Sequence, residues 1–103
     1  MTKERVASKT DIAAGTVQVF EAGGRSICLA NLDGENFYAI DNLCTHDNGP
    51  LGEGTLSNGT VVCPRHGARF DLKTGAVRAL PAVKPVRTYP VTVEGKEISV
   101  EVE

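Results

Sequence analysis

The apolar residues of this chain recur at every second position in short segments, and no helical spacing persists beyond about two turns. Val6 to Ser8 lies in a mixed, extended segment that predicts a first edge strand, followed by a loop that Gly15 closes. Residues 16–21, TVQVFE, alternate: Val17, Val19 and Glu21 fall on one side, Thr16, Gln18 and Phe20 on the other. That pattern predicts a strand with both faces partly covered. Gly23-Gly24 supplies the positive backbone angles of a tight hairpin turn. The denser apolar run SICLANL, residues 26–32, suits a central strand, with Cys28 inside it as a core thiol. Asp33-Gly34 is the next predicted turn and NFYAI, residues 36–40, the returning strand.

From residue 41 to 75 the texture changes: Gly, Asn and Pro separate short apolar pieces at 60–62 and 68–70, with turn pairs at Asn58-Gly59 and Thr74-Gly75. This is the composition of a small β subdomain set into a larger sheet. Residues 79–90, ALPAVKPVRTYP, carry three prolines, which cannot donate to a ladder, so the stretch belongs on the surface or at a sheet edge. The end of the chain reads as a hairpin around Glu94-Gly95, with Val91 and Val93 alternating on one strand and Ile98, Val100 and Val102 on the other. The expectation is an all-β fold in one domain, residues 1–103: a base made from about 1–40 and 76–103, and a subdomain at about 41–75.

Composition narrows what such a fold can do. A chain of 103 residues supports one modest core, and a hydrophobic fraction of 41% is ordinary for a globular protein. A net charge of −2 and the absence of tryptophan argue against nucleic acid as a partner. No apolar run approaches the ~20 residues of a membrane span, and the polar start MTKERVASKTDIAAG has no signal-peptide centre. A soluble, cytoplasmic monomer is expected. Three cysteines, two of them beside histidines, fit reduced thiols available to a metal better than a disulfide framework.

The chemistry concentrates between residues 44 and 66. Cys44 and His46 are one residue apart, Cys63 and His66 two, and residues 47–62 separate the pairs. Each half offers a thiolate and an imidazole, followed by a glycine, Gly49 or Gly67. Such a set of soft ligands on glycine-bearing loops is suited to a metal centre. A structural zinc is one candidate. Zinc modules usually pair Cys with Cys and His with His, whereas here each loop mixes sulfur and nitrogen, which suits two adjacent metals, one taking both thiolates and the other both imidazoles. Gly49 and Gly67 are expected where backbone N–H groups approach the sulfurs closely.

CTH at 44–46 and CPRHG at 63–67 resemble the two ligand loops of Rieske [2Fe–2S] proteins, C-x-H and C-x-x-H. The resemblance spans nearly the whole chain, because the strand meanders match that family's basal β domain and the segment near Pro81 lies where a third loop covers its cluster. It implies a Rieske-like fold, an antiparallel β-sandwich or barrel base with an inserted subdomain, and one [2Fe–2S] cluster per chain. Cys44 and Cys63 would bind the inner iron, and His46 and His66 the outer iron. Substituting imidazoles for two thiolates leaves the oxidised site neutral, so adding an electron costs less than in a four-cysteine cluster.

Departures from the family pattern sharpen the expectation. The Rieske proteins of bc-type complexes have an additional disulfide-linked cysteine in each loop; Gly49 and Arg65 stand there instead. They also place a serine and a tyrosine after the second motif, whose hydroxyls raise the potential; Ala68 and Phe70 occupy those positions. The resemblance thus narrows to a low-potential carrier like the ferredoxin components of bacterial ring-hydroxylating dioxygenase systems. Its partners would be a flavin-dependent ferredoxin reductase and a terminal oxygenase, and the carrier would do no substrate chemistry itself. Electron transfer would run through the edges of His46 and His66, within a docking rim of Asp47, Asn48, Pro50, Arg65 and Pro81. A redox-sensing or regulatory protein, and a structural zinc module, are the competing readings.

Overall fold

The computed structural model describes residues 2–42, 51–57, 59–63, 67–79 and 84–102. Within them the chain forms β1 (Thr2–Ser8), β2 (Thr16–Ala22), β3 (Arg25–Asn31), β4 (Phe37–Asp41), β5 (Thr55–Ser57), β6 (Thr60–Val62), β7 (Arg69–Asp71), β8 (Val77–Ala79), β9 (Thr88–Tyr89), β10 (Val91–Glu94) and β11 (Glu97–Val102). The helical content is two single turns of 3-10 helix, Lys9–Asp11 and Leu51–Glu53. All pairings are antiparallel and make three sheets, ordered β1-β11-β10, β2-β3-β4-β9 and β5-β6-β7-β8.

The second sheet is the middle layer, and the period of two along its strands shows why. On β3, Ile27 and Leu29 enter one core while Cys28 and Ala30 enter the other. On β4, Phe37 and Ala39 join the first set, and Tyr38 and Ile40 the second. The Ile27–Leu29 side packs against Ile98, Val100 and Val102 of β11 and Ala7 of β1. The Cys28–Ala30 side packs against Val61 and Phe70 of the third sheet and against Cys63, Ala68 and Leu72 beside its strands. A strand buried on both faces reads as a continuous apolar run, which is how SICLANL reads. On β2, Val17 packs on one core and Phe20 on the other, so the expected partial cover of both faces holds.

Turn chemistry sets the register. Gly23 (φ 57°) and Gly24 (φ 77°) connect the paired residues Ala22 and Arg25 in the left-handed turn that two-residue hairpins favour. Asp33-Gly34, expected as a tight turn, instead sits within a wider loop over residues 32–36, closed by the Leu32 N–H donating to the Asn36 carbonyl at 2.9 Å. Asp33 Oδ1 accepts the N–H groups of Glu35 (3.0 Å) and Asn36 (2.9 Å), an aspartate turn that satisfies the backbone without ladder pairing. β4 consequently begins at Phe37 and ends at Asp41, one residue later than expected. The last hairpin is likewise offset by one: Glu94 pairs with Glu97, so Gly95 (φ 61°) and Lys96 form the turn.

The proline-rich connection ends as β9, on the edge of the middle sheet, where Ala39 pairs with Tyr89 and Ile40 with Thr88. That is the place the prolines allow. Pro81 lies outside the described residues. The Pro90 carbonyl accepts the Glu101 N–H at 3.0 Å, stitching the passage from the middle sheet to the outer one. The buried Asn31 is satisfied in both senses: Nδ2 donates to the Ile12 carbonyl (2.7 Å) and Oδ1 accepts the Gly34 N–H (2.6 Å).

Phe70 is fully enclosed at 0% exposure, whereas Val93 is 38% exposed. Phe70→Ala should therefore cost about 3–5 kcal/mol in chemical denaturation and Val93→Ala less than about 0.5. Cys28 generates a pH prediction. Burial first, and then the Asp41 carboxylate, push its thiol from 9.0 to about 12. A thiol that binds its proton more tightly folded than unfolded gives stability that is complete below about pH 9 and is lost as pH rises toward about 12. Denaturation midpoints measured across that range should fall more steeply for the wild type than for Cys28→Ala; parallel curves would contradict the assignment.

Candidate metal centre

β4 delivers the chain to the first predicted ligand pair. Cys44 and His46, with Asp47, Asn48, Gly49 and Pro50, lie outside the described residues, but both ends of that stretch are fixed. Asn42, directly after β4, accepts the Gly52 N–H on Oδ1 at 2.7 Å, so the residue before the stretch is bonded to the 3-10 turn after it. Asn42 is itself held by β3. Its N–H donates to the Ser26 carbonyl (3.1 Å), its Nδ2 to Ser26 Oγ (3.0 Å), and the Cys28 thiol donates to its Oδ1 (3.2 Å). Gly52 is closely approached: a Cβ there would lie 2.1 Å from Cγ2 of the exposed Val19, which would have to turn away, and 3.2 Å from Asn42 Oδ1.

The second predicted pair begins at the end of β6. Cys63 is 1% exposed and unbridged. Its N–H donates to the Ala68 carbonyl at 2.7 Å and its carbonyl accepts the Gly67 N–H at 3.1 Å, which closes the turn leading into β7. Arg65 and His66 fall between Cys63 and Gly67 in sequence and lie outside the described residues. Gly67 has φ 78° and nothing within 4 Å of a hypothetical Cβ, so conformation and not crowding requires glycine there. The Gly67 N–H itself closes the turn onto the Cys63 carbonyl.

A third neck joins residues on either side of 80–83, the stretch that contains Pro81. The Val86 N–H donates to the Gly75 carbonyl at 2.9 Å, and the Asp41 N–H donates to the Arg87 carbonyl at 2.9 Å. Gly75 (φ 76°) is needed twice over, since a Cβ would also lie 2.0 Å from the Val86 carbonyl oxygen. The Tyr89 hydroxyl donates to Asp41 Oδ1, and the Arg87 guanidinium lies 5.3 Å from the Tyr89 ring centroid. Burial, followed by the hydrogen bond to Asp41, raises the Tyr89 pKa above its ordinary value.

All three necks rise from one core. Leu51, Cys63, Ala68 and Val86, each at or beside a neck, are buried in a single cluster with Cys28, Ile40 and Phe70. Of the four predicted ligands the structure describes Cys63, and it brings the residues bordering the other three to the same core. Among the described residues no three metal-binding side chains assemble. The donor chemistry fits an iron–sulfur centre: Cys63 is buried among apolar groups, unbridged, and without a side-chain hydrogen bond among the described residues. The other described cysteine, Cys28, is committed to Asn42. Sequence reasoning missed Asn42 and Gly52, and read Gly75 as a turn glycine without its contact to Val86. The only signal was a polar residue closing an apolar strand two positions before Cys44, and strand ends are often polar.

Comparison with known proteins agrees with this geometry. The family model for the Rieske [2Fe–2S] domain matches residues 2–90. The ferredoxin component of biphenyl 2,3-dioxygenase from Rhodococcus jostii (strain RHA1) is 38% identical over 103 residues, covering 100% of this chain and 95% of that protein. Among solved structures, the ferredoxin of carbazole 1,9a-dioxygenase from Nocardioides aromaticivorans IC177 superposes with a TM-score of 0.94 at 39% identity, covering 100% of both chains. A chain from a complex of reduced oxygenase and oxidised ferredoxin in carbazole 1,9a-dioxygenase matches with a TM-score of 0.87 at 30% identity, over 94% of this chain and 99% of that one. With the family model covering nearly the whole chain and the two-loop ligand pattern in place, this chain belongs to the Rieske [2Fe–2S] family.

Proposed function

We infer that this chain is the ferredoxin component of a ring-hydroxylating dioxygenase system, a soluble one-electron carrier that performs no substrate chemistry. The observation that carries this reading is similarity to a dioxygenase ferredoxin over 100% of this chain and 95% of that protein. Cys44, His46, Cys63 and His66 would hold one [2Fe–2S] cluster, the cysteines on the inner iron and the histidines on the outer. When bound, the cluster supplies one-electron redox chemistry. The protein's part is to hold the ligands, shield the sulfur side and present the nitrogen side. The burial of Cys63 supports the inner placement of sulfur. Residues 1–40 and 76–103 would then act as the base and 41–75 as the cluster-binding subdomain of a single domain.

Ala68 and Phe70 are both fully buried in the core that holds Cys63, and neither carries a hydroxyl. Fewer donors to sulfur mean less stabilisation of the more negative, reduced state, which supports a low potential. The terminal oxygenase is the electron acceptor, and a flavin-dependent ferredoxin reductase the donor. The docking face is the rim of Asp47, Asn48, Pro50, Arg65 and Pro81, all outside the described residues. The chain works as a monomer in the cytoplasm; among the described residues no helix is long and apolar enough to cross a membrane.

Visible absorption and electron paramagnetic resonance of the purified protein should show a Rieske cluster. Replacing any of the four ligands by alanine should abolish that signal, whereas Cys28→Ala should keep it. A colourless zinc protein would overturn the reading. Redox titration should place the midpoint near the lower end of roughly −150 to +300 mV, and a clearly positive value would contradict the low-potential assignment. In turnover with a reductase and an oxygenase, Arg65→Glu should slow electron delivery without changing the spectrum; an unchanged rate would remove Arg65 from the docking face.

A further inference from the structure

The structure assigns a positioning role to Asn42: it clamps the segment that carries Cys44 and His46 to the core strand β3. The inference rests on the reading of those two residues as cluster ligands. Asn42 makes four hydrogen bonds at one place. Oδ1 accepts from both the Gly52 N–H (2.7 Å) and the Cys28 thiol (3.2 Å), while Nδ2 donates to Ser26 Oγ (3.0 Å) and the backbone N–H to the Ser26 carbonyl (3.1 Å). The side chain therefore joins three things that are distant in sequence: the end of β4, the middle strand β3, and the 3-10 turn at Leu51–Glu53.

The geometry is selective. The amide orientation is fixed, because turning it over would set an NH2 group against two donors and lose both bonds. The acceptor sits close against Gly52, since a Cβ built there would lie 3.2 Å from Asn42 Oδ1. Leucine or alanine at position 42 would leave the Gly52 N–H without its acceptor at a half-buried site. Cys28 is thus more than a core thiol: at 0% exposure it donates to the same oxygen and helps aim it. Two hydrogen bonds of ordinary net strength shift an opening equilibrium by about tenfold to a hundredfold. Opening at this neck would release the first ligand pair while leaving the second, closed separately by Cys63, Ala68 and Gly67, in place.

The test uses the cluster-loaded protein and follows bleaching of its visible spectrum in the presence of an iron chelator. Asn42→Ala should release the cluster about tenfold to a hundredfold faster than the wild type. Val100→Ala, in the opposite core, is the control for general destabilisation: compared at equal thermal stability, it should release the cluster more slowly than Asn42→Ala. Asn42→Asp keeps an acceptor for Gly52 and Cys28, so release should stay within about threefold of wild type, while the added negative charge lowers the redox midpoint. Ser26→Ala removes only the Nδ2 partner and should accelerate release mildly, which keeps the test available if Asn42→Ala folds poorly. Equal rates for Asn42→Ala and Val100→Ala, equal rates for Asn42→Asp and Asn42→Ala, or no acceleration in Ser26→Ala and Asn42→Ala would each overturn the inference while leaving the function standing. A wild-type protein that holds no cluster would overturn both.

Discussion

Two-sided burial of the middle sheet is the constraint from which the other features follow. A chain of 103 residues has little apolar material, and a single sheet with one wet face would leave much of it unused. Placing β3 and β4 between two outer sheets lets alternate residues serve two cores: Ile27 and Leu29 on one side, Cys28 and Ala30 on the other. Because side chains alternate strictly, a slip of one residue in β3 would exchange the two cores wholesale. The turn at Gly23-Gly24 and the Asn31–Gly34 hydrogen bond resist that slip from both ends of the strand.

The two cores differ in what they border. Among the described residues the one shared with β1 and β11 contains no predicted ligand, and the salt links Lys3–Glu94 and Arg5–Glu97 run across its exposed sheet, where such pairs contribute little. The other core contains Cys63 itself and borders all three necks. Its members are also tied by buried or half-buried polar contacts, through Asn42 on one side and Gly75 on the other. Both cores contribute stability, Phe70 being enclosed in the second, and the second also borders the necks.

Much of this was legible in the residues. SICLANL announced a strand with two buried faces, and the glycine pair announced its turn. CTH and CPRHG carried the family on their own, because mixed sulfur–nitrogen loops have few alternative uses. What failed to show was anything set by competition between local and distant partners. Asp33 looked like a turn residue and is one, but its side chain satisfies two N–H groups locally and so widens the loop. Gly67 looked like a loop glycine, and the fold adds that its N–H closes the turn onto the carbonyl four residues back. Asn42 gave no periodic or motif signal, because its importance comes from Gly52 and Cys28, which only the fold brings to it.

The placement of the necks bears on why an all-β scaffold suits a one-electron carrier. Such a protein must hold nearly the same ligand geometry in two charge states, so the supports of the ligands must resist displacement more than the ligands themselves. A helix would offer ligands along one face, each free to shift with the whole element. Here each loop leaves and re-enters the same close-packed core, and each is closed at its base by hydrogen bonds: Asn42 to Gly52, Cys63 to Gly67 and Ala68, and Val86 to Gly75. Packed interiors deform little under a change of one charge nearby, whereas unsupported loops follow it. The necks therefore turn the stiffness of the core into stiffness of the ligand set. That is why Gly75, which has no side chain and no chemistry, matters to the site: a Cβ there would meet the Val86 carbonyl oxygen at 2.0 Å and pry that neck open.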